Sequence, residues 1–232
     1  MRAEENRIKA VYEKRRIEKG GLYSSLNKGH VFMRQELEQG ISKLLMSNGI
    51  DSIASKTILD IGCGSGDKLG DLLKFGARPE NLSGIDLLDW RVDDARRILP
   101  PGVRLECGNA EKLSFSDRSF DVVIQFTVFS SILDPHMKRN VASEMLRVLK
   151  EDGFVIWYDF FVRDPRNSDV RAITKNEIRQ LFPGCQIDLR RITVAAPLVR
   201  LLAPYSWRLC YLLERIKVLD THYLGLIRKS SV

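Results

Sequence analysis

The chain has 232 residues, of which 44% are hydrophobic and 29% are charged. This length predicts one globular domain with a sizeable core, and the composition excludes a wholly disordered chain. No apolar run approaches the ~20 residues that cross a bilayer, and the charged first residues are unlike a secretory signal. The cysteines form no CxxC pair and lie far from the histidines in sequence, so we expect reduced thiols in the cytoplasm. The four cysteines are Cys63, Cys107, Cys185 and Cys210.

The formal net charge of +7 is concentrated at the two ends of the chain. Residues 1–56 carry 11 Lys/Arg and 7 Asp/Glu, and residues 186–232 carry 8 and 3, whereas residues 57–185 carry 18 and 20. Basic ends can attract nucleic acid, anionic lipid or an acidic substrate. An ordinary solvated surface explains them equally well, because the sequence contains no block of like charges.

Short apolar segments alternate with segments of helical periodicity along the middle of the chain. In the segment 67–75, for example, three leucines recur at the spacing of one helix face. This alternation implies crossover connections, a mostly parallel sheet and therefore a doubly wound α/β fold. The predicted strands are 57–61, 82–86, 103–107, 120–126, 154–160 and 186–194. The predicted helices are 31–46, 67–75, 90–99, 135–150 and 175–182.

A glycine-rich segment, residues 58–66, follows the first predicted strand and opens the next helix. Glycine lets the backbone approach a ligand closely, and a helix N-terminus presents unpaired N–H groups. The segment lacks the glycine-lysine-hydroxyl ending of a phosphate-binding loop, and its third glycine comes too early for the dinucleotide fingerprint. Gly-x-Gly alone also serves ordinary tight turns, so its interpretation depends on the ends of the other predicted strands.

Polar residues lie at the ends of the next three predicted strands. Asp86 ends the second strand, where a carboxylate can accept both hydroxyls of a ribose. Asn109 comes after the third strand and can hold an adenine edge, and Gln125 lies near the end of the fourth. Each residue has an ordinary alternative, namely a helix cap, a turn former and a surface polar group respectively. Their order and spacing favour one ligand site in the crevice above the sheet.

Five segments together resemble the motifs of class I S-adenosylmethionine-dependent methyltransferases, in the broad group that acts on small molecules. The segments are 59–66, 84–87, 108–115, 119–123 and 144–153. The resemblance implies a Rossmann-like, doubly wound sheet of seven mostly parallel strands. It also implies an antiparallel last strand, which we place at 222–228, within the segment 221–229. In this interpretation residues 1–232 are a single methyltransferase domain with a cofactor-binding core at 55–194.

The same resemblance implies S-adenosyl-L-methionine as the cofactor. The glycine loop would lie against the methionine part with Asp60 near its amino group, while Asp86 would bind the ribose and Leu87 would pack on the adenine. Asn109 would lie at the adenine edge, and Gln125 near the sulfonium. The predicted cofactor-binding residues are Asp60, Gly62, Cys63, Gly64, Gly66, Asp86, Leu87, Asn109, Ala110 and Gln125. We expect no metal, because the sequence contains no legible cluster of histidine, cysteine and carboxylate ligands.

Two segments outside the core are expected to cover the crevice: the N-terminal residues 1–48, and a helical insertion at 197–219 before the last strand. The first N-terminal helix has an apolar face that we expect to pack on the stripe 209–216 of the insertion. The residues of that face are Ile8, Val11 and Tyr12. The insertion is also basic, amphipathic and begins near Trp207, so a place on a membrane surface is the alternative to packing on the sheet.

Methyl transfer is an in-line displacement that chiefly needs the reactants to be held in position. A hydroxyl acceptor also benefits from a general base, and the sequence offers three candidates. His30 precedes a helix of the predicted cover, His136 starts the helix after the fourth strand, and Asp159 lies at the crevice end of the fifth. A structural role is the alternative for each of them.

The segment after the fourth strand bears on the class of acceptor. The Asn/Asp-Pro-Pro-aromatic motif of enzymes that methylate amino groups in nucleic acids is absent there, so a nucleic-acid partner would rest on charge alone. We therefore expect transfer to a hydroxyl or carboxyl of a small-molecule or lipid- or glycan-linked acceptor, with an acidic one favoured by the basic ends. The expected location is the cytoplasm or the inner face of the membrane. The alternatives are a methyltransferase acting on RNA or protein, and a non-catalytic cofactor-binding scaffold of the same fold.

Overall fold

Seven strands form one sheet in the computed structural model, which describes residues 2–18, 26–163 and 167–230. The strands are β1 (Ile58–Ile61), β2 (Leu82–Asp86), β3 (Arg104–Cys107), β4 (Phe120–Phe126), β5 (Leu149–Phe160), β6 (Cys185–Val194) and β7 (Asp220–Lys229). Their order in the sheet is β3-β2-β1-β4-β5-β7-β6, with only β7 antiparallel to its neighbours. The predicted doubly wound topology with an antiparallel last strand is confirmed. Residues 19–25 of the predicted N-terminal cover lie outside the described residues.

Eight α-helices accompany the sheet within the described part of the chain. The helices are α1 (Arg2–Glu18), α2 (Lys28–Met46), α3 (Asp67–Lys74), α4 (Asp89–Ile98), α5 (Pro135–Val148), α6 (Lys175–Leu181), α7 (Ala196–Leu202) and α8 (Trp207–Glu214). β5 starts earlier than predicted, because Leu149 already pairs with Phe120 ahead of a register shift. The insertion is two helices rather than one, since Pro204 has no N–H to donate and Ser206 caps a new helix by accepting the Leu209 N–H.

The centre of the sheet brings three strand ends together. β1 is completely buried and pairs with β2 on one side and with β4 on the other, so that Ile61 lies between Ile85 and Gln125. Strand order reverses at this point, because β2 and β4 leave β1 in opposite directions along the sheet. Open α/β sheets bind ligands in the crevice at such a reversal, beyond the carboxyl ends of the strands. The topology therefore places the predicted site at the ends of β1, β2 and β4.

The helices divide between the two faces of the sheet. One hydrophobic cluster contains Met137 of α5 and Ile178 of α6, and the other contains Ile41 of α2 and Leu69 of α3. A third and smaller cluster joins α2 to the insertion through Phe32, which packs with residues of α7 and α8. α2 therefore has two functions, since it covers the sheet and carries the insertion.

α1 does not pack on the insertion, so that prediction is wrong. Ile8 is buried and Tyr12 partly buried in the same cluster as α5. Polar contacts explain the choice, because the Tyr12 hydroxyl lies 3.1 Å from the Ser131 hydroxyl and Glu4 accepts the Leu133 N–H at 2.6 Å. These bonds tie α1 to the loop after β4, on the opposite face of the sheet from α2.

All four cysteines are free thiols, and those of Cys63 and Cys210 are buried. Burial raises the pKa of the Cys63 thiol, and the carboxyl of Asp60 raises it further. This thiol is therefore neutral and serves packing. Within residues 2–18, 26–163 and 167–230, no helix is both long enough and apolar enough to cross a bilayer.

Candidate active site

The glycine loop between β1 and α3 has no room for side chains at two of its positions. Gly62 has a φ of 70° and Gly64 a φ of 55°, both in the left-handed region that disfavours other residues. A Cβ at Gly62 would lie 2.6 Å from the side chain of Val128, and one at Gly64 would lie 2.5 Å from the guanidinium of Arg91. The loop is therefore a backbone cradle, closed on one side by the loop after β4 and on the other by α4.

Asp60 places an unpartnered carboxylate oxygen under this cradle. Its side chain is only 2% exposed, and its Oδ2 has no hydrogen-bond partner among the described residues. Burial raises the pKa of Asp60 well above its usual value, and the neighbouring carboxyl of Asp86 raises it further, whereas Lys68 and Arg91 oppose the shift. A buried acceptor without a donor is costly, so this oxygen fits a ligand that brings an ammonium or hydroxyl group.

Asp86 holds the cradle in position. Its Oδ2 accepts the Gly64 N–H at 2.8 Å, and its Oδ1 accepts the Leu88 N–H at 2.9 Å. Each oxygen of a carboxylate has a second lone pair, so the two can still accept ribose hydroxyls. Asp86 thus links the end of β2 to the glycine loop as well as lying at the predicted ribose position.

The predicted adenine side lies beneath α1. Asn109 donates one hydrogen bond to Glu5 of α1 at 2.7 Å and another to Glu111 at 3.0 Å. An open cavity of about 380 Å³ lies between α1 and the loops after β2 and β3. Its lining residues are Lys9, Ala10, Glu13, Leu87, Leu88, Asp89, Trp90 and Cys107. This volume is in the range of small-molecule pockets. Leu87 lines the cavity, and its contact with adenine stays a prediction.

A stack of alternating guanidinium groups and aromatic rings joins α1 to α4 beside the cradle. Arg91 lies 5.2 Å from the ring centre of Tyr12 and 5.9 Å from that of Trp90. Arg15 lies 5.1 Å from the Tyr12 centre, and Arg16 lies 4.7 Å from the Trp90 centre. Cation–π contacts of this kind hold charged groups in place. The sequence analysis missed Arg91, for which the only available signal was its position five residues after Asp86.

Gln125 is fully buried and its amide is engaged within the protein. Its Nε2 donates to the Tyr158 carbonyl at 3.3 Å, and its Oε1 accepts the Val128 N–H at 3.1 Å. Thr127, which lies between Gln125 and Val128 in the chain, is a β-branched residue with a φ of 60°, and this conformation is strained. The hydrogen bonds of Gln125 therefore stabilise the turn in which Val128 packs against the glycine loop. Its direct contact with the cofactor stays a prediction.

The three candidate bases are not brought together. His30 lies in the first turn of α2 and His136 in the first turn of α5, so the two histidines are on opposite faces of the sheet. His136 is exposed, and Arg139 lies 2.9 Å from its Nδ1. Asp159 is fully buried and accepts the N–H groups of Ser130 and Phe160, while burial raises its pKa to about 6.

His30 has the electrostatic surroundings that suit a base. Burial lowers its pKa, and the cations Arg34, Lys68 and Arg200 lower it further, although Asp67 acts in the opposite sense. The imidazole is therefore neutral at physiological pH and able to accept a proton. Asp67 and Lys68 begin α3 directly after the glycine loop and Arg200 lies on α7, so the charges that act on His30 come from these two helices.

A group of aromatic rings at the crevice end of β4, β5 and β7 was not predicted. The His222 ring is stacked on Tyr158 at 4.5 Å and lies 3.9 Å from Phe160, and Phe126 is tilted against Tyr158 at 5.7 Å. Burial lowers the pKa of His222 to about 3, so its imidazole is neutral. The signal was the antiparallel last strand, whose register pairs His222 with Phe160. Among the described residues no group of three or more histidine, cysteine or carboxylate side chains is arranged to hold a metal.

Comparisons with known proteins show similarity to methyltransferases. Residues 58–153 match the family described as a methyltransferase domain. The chain is 36% identical over 140 residues to 2-methyl-6-phytyl-1,4-hydroquinone methyltransferase of Synechocystis (58% of this chain, 42% of that protein). It is 31% identical over 135 residues to phthiotriol/phenolphthiotriol dimycocerosates methyltransferase 1 of Mycobacterium ulcerans (54% and 48%). It thus matches less than half of the length of these curated relatives.

Solved structures share the fold at low sequence identity. Burkholderia thailandensis 1,6-didemethyltoxoflavin-N1-methyltransferase, solved with 1,6-didemethyltoxoflavin and S-adenosylhomocysteine bound, superposes with a TM-score of 0.65 at 15% identity. The match covers 97% of this chain and 88% of that one. Residues 58–153 therefore match a methyltransferase domain, and the chain shares the fold of class I S-adenosylmethionine-dependent methyltransferases.

Proposed function

We propose that the protein transfers the methyl group of S-adenosylmethionine to a hydroxyl or carboxyl of a small-molecule acceptor, with a lipid-linked acceptor favoured. The observation that carries the proposal is the unpartnered Oδ2 of Asp60 beneath a loop that excludes side chains. When bound, the cofactor supplies a methyl group on a sulfonium centre, which is activated for displacement. Its amino group would be held at Asp60, its ribose at Asp86, and its adenine beside Leu87 and Asn109.

Arg91 completes the set of residues that would hold the cofactor. A carboxylate needs a cation, and Arg91 presents its guanidinium at Gly64, where the stack with Tyr12 holds it in place. Lys68 is the second cation near Asp60. Two buried carboxylates and two cations would therefore match the ammonium, hydroxyl and carboxylate groups of an amino-acid nucleoside.

His30 is the residue that we assign to the acceptor's proton. A neutral imidazole in the first turn of α2, under the influence of charges at the start of α3, can take a proton from a hydroxyl as the methyl group is transferred. The surrounding cations would also attract an acidic acceptor. His136 lies on the other face of the sheet, and Asp159 is used to hold the loop at Ser130, so neither is a comparable candidate.

The names of the curated relatives support a lipid-linked acceptor. One is named for a phytyl hydroquinone and the other for phthiotriol dimycocerosates, and both names denote compounds with hydroxyl groups. The aromatic group around Tyr158 and His222 offers an apolar wall near the crevice for such a compound. The basic ends support an acidic group on the same molecule.

The test is to incubate the chain with S-adenosylmethionine labelled in its methyl group and with separated lipid, small-molecule, RNA and protein fractions of cells. Base-labile label in a lipid or small-molecule product identifies a carboxyl acceptor, and base-stable label that mass spectrometry locates in a methyl ether identifies a hydroxyl. Label on carbon or nitrogen would overturn this part of the proposal. Label in RNA or protein alone, or binding of S-adenosylhomocysteine without any transfer, would support the two alternatives and overturn the proposal. Transfer is expected to persist with EDTA present.

A further inference from the structure

The outward side of the insertion carries an unusual concentration of exposed apolar side chains. Seven of the twelve large hydrophobic residues that are exposed in the described chain lie between residues 201 and 218. They are Leu201, Tyr205, Leu209, Tyr211, Leu212, Ile216 and Val218. We call this set the apolar platform. A concentration of this kind on a soluble surface marks an interaction site.

The packing of α8 explains why these residues point outward. Cys210 is fully buried, and Trp207 and Leu213 pack with it against Phe32 of α2. Of the stripe at 209–216 that the sequence suggested, Leu213 alone packs on this cluster. Leu209 and Leu212 remain 46% and 56% exposed. Packing on the sheet, the simpler interpretation of this stripe, is therefore wrong for most of its members.

Positive charge surrounds the platform. Arg208 and Arg215 are exposed on α8 and just after it, and neither has an ion-pair partner among the described residues. Lys217 is also exposed and pairs with the buried Asp220. Residues 196–219 contain four basic residues and a single acidic one, Glu214, whose pKa is raised by burial.

We propose that the apolar platform docks on an anionic lipid bilayer and that the protein takes its acceptor from that surface. Leucine and tyrosine side chains would enter the headgroup region, while Arg208 and Arg215 would pair with lipid phosphates. A second copy of this chain fits less well, because two platforms face to face would set like charges against each other. The part of this inference that concerns the acceptor rests on the proposed function, whereas the docking itself does not.

The platform adjoins the acceptor side of the crevice. The Lys28 ammonium donates to the Pro204 carbonyl at 3.3 Å, and a Cβ at Gly29 would lie 3.0 Å from the Arg200 Cα. His30 is the next residue in the chain. A bilayer against the platform would therefore lie next to the N-terminus of α2, from which a lipid-borne hydroxyl has a short path to the candidate base.

Flotation of the full chain with vesicles tests the docking. We expect binding to phosphatidylcholine vesicles that contain about 40% phosphatidylglycerol, and at least ~20-fold weaker binding to pure phosphatidylcholine or at high salt. R208Q/R215Q should weaken binding about 25-fold, and L209S/L212S at least ~10-fold. The control R97Q/I98S changes an exposed arginine and an apolar residue that is more exposed than Leu209 or Leu212. Both lie on α4, near the opposite edge of the sheet, and the variant should bind like the parent chain.

The outcomes separate docking from activity. Unchanged binding of both platform variants, binding that ignores lipid charge, or a concentration-dependent dimer that both variants abolish would overturn the docking proposal. Cofactor affinity, measured by calorimetry with S-adenosylhomocysteine, reports that each variant is folded. Vesicle binding without methyl transfer would refute the proposed function alone, and transfer to a detergent-dispersed acceptor without vesicle binding would refute the docking alone.

Discussion

The two sides of the crevice hold their polar groups in different ways. On the cofactor side, carboxylates are fixed by backbone N–H groups of the same loops, as when Asp86 accepts from Gly64 and Leu88. On the acceptor side, side chains from distant elements meet, as when His222 of β7 stacks on Tyr158 of β5. Contacts to backbone N–H groups depend on the path of the loop itself, whereas contacts between side chains can be altered by one substitution at a time.

The largest expected effect is on the acceptor side. His30→Ala should reduce kcat by about 10²- to 10⁴-fold, because a general base is lost, while affinity for S-adenosylhomocysteine stays unchanged. The lowered pKa of His30 means that parent activity should fall only as the pH drops below 6.5, when the imidazole becomes protonated.

Steady-state rates and pH profiles with the identified acceptor measure this effect. His136→Ala is the matched control, since it removes an exposed histidine from the first turn of a helix on the other face of the sheet. Equal losses for both variants, or an acid limb that survives in His30→Ala, would remove His30 from the mechanism.

A change at Asp86 should act on the cofactor side alone. Asp86→Ala removes the acceptor for ribose hydroxyls and for the Gly64 N–H, so cofactor affinity should fall by about 1–3 kcal/mol. Calorimetry with S-adenosylhomocysteine measures the loss. Asp93→Ala is the control, because that exposed carboxylate on α4 bonds Arg96 and does not line the cavity. Parent-like affinity in Asp86→Ala would place the ribose elsewhere.

A substitution at Gly64 tests whether the cradle depends on open space as well as on a positive φ. Gly64→Ala adds a methyl group to a residue with positive φ and sets it against Arg91, so cofactor affinity should fall by about tenfold. Gly49→Ala has the same conformational cost, since its φ is 70°, but no atom lies within 4 Å of the new Cβ. Both variants should melt earlier, and only Gly64→Ala should bind S-adenosylhomocysteine more weakly. Equal affinity of Gly64→Ala and Gly49→Ala for S-adenosylhomocysteine would show that the cradle has space for a side chain at residue 64.

The contrast between the two sides also explains what could be predicted from the sequence. The strands were predictable because each is a short apolar run of consecutive residues. The loop at Gly62 was predictable because glycines mark positions that can adopt a positive φ. The contact between Tyr12 and Arg91 was not predictable, because it depends on where α1 packs and the two residues are far apart in sequence. The stripe of α8 shows a further limit. Periodicity reveals that a helix has an apolar face, but whether Leu209 meets a core or the exterior depends on the neighbours.

The smallest expected effect concerns Glu36, on the same helix as His30 but away from the proposed chemistry. Glu36 is buried and accepts the Thr193 N–H at 2.8 Å, and burial raises its pKa to about 7. The folded protein therefore binds more protons than the unfolded chain between the ordinary carboxyl pKa and 7, so stability falls as pH rises through that window.

Glu36→Gln keeps the bond to Thr193 and cannot ionise. Relative to the parent chain, it should therefore gain about 1–2 kcal/mol of unfolding free energy between pH 5 and pH 8. Denaturant unfolding at both pH values measures the gain, with exposed Asp51→Asn as a control for the change in net charge. If the free energy of unfolding has the same pH dependence in the parent chain and in Glu36→Gln, Glu36 is already ionised in the folded protein. In that case the space between α2 and β6 is more hydrated than its packing implies.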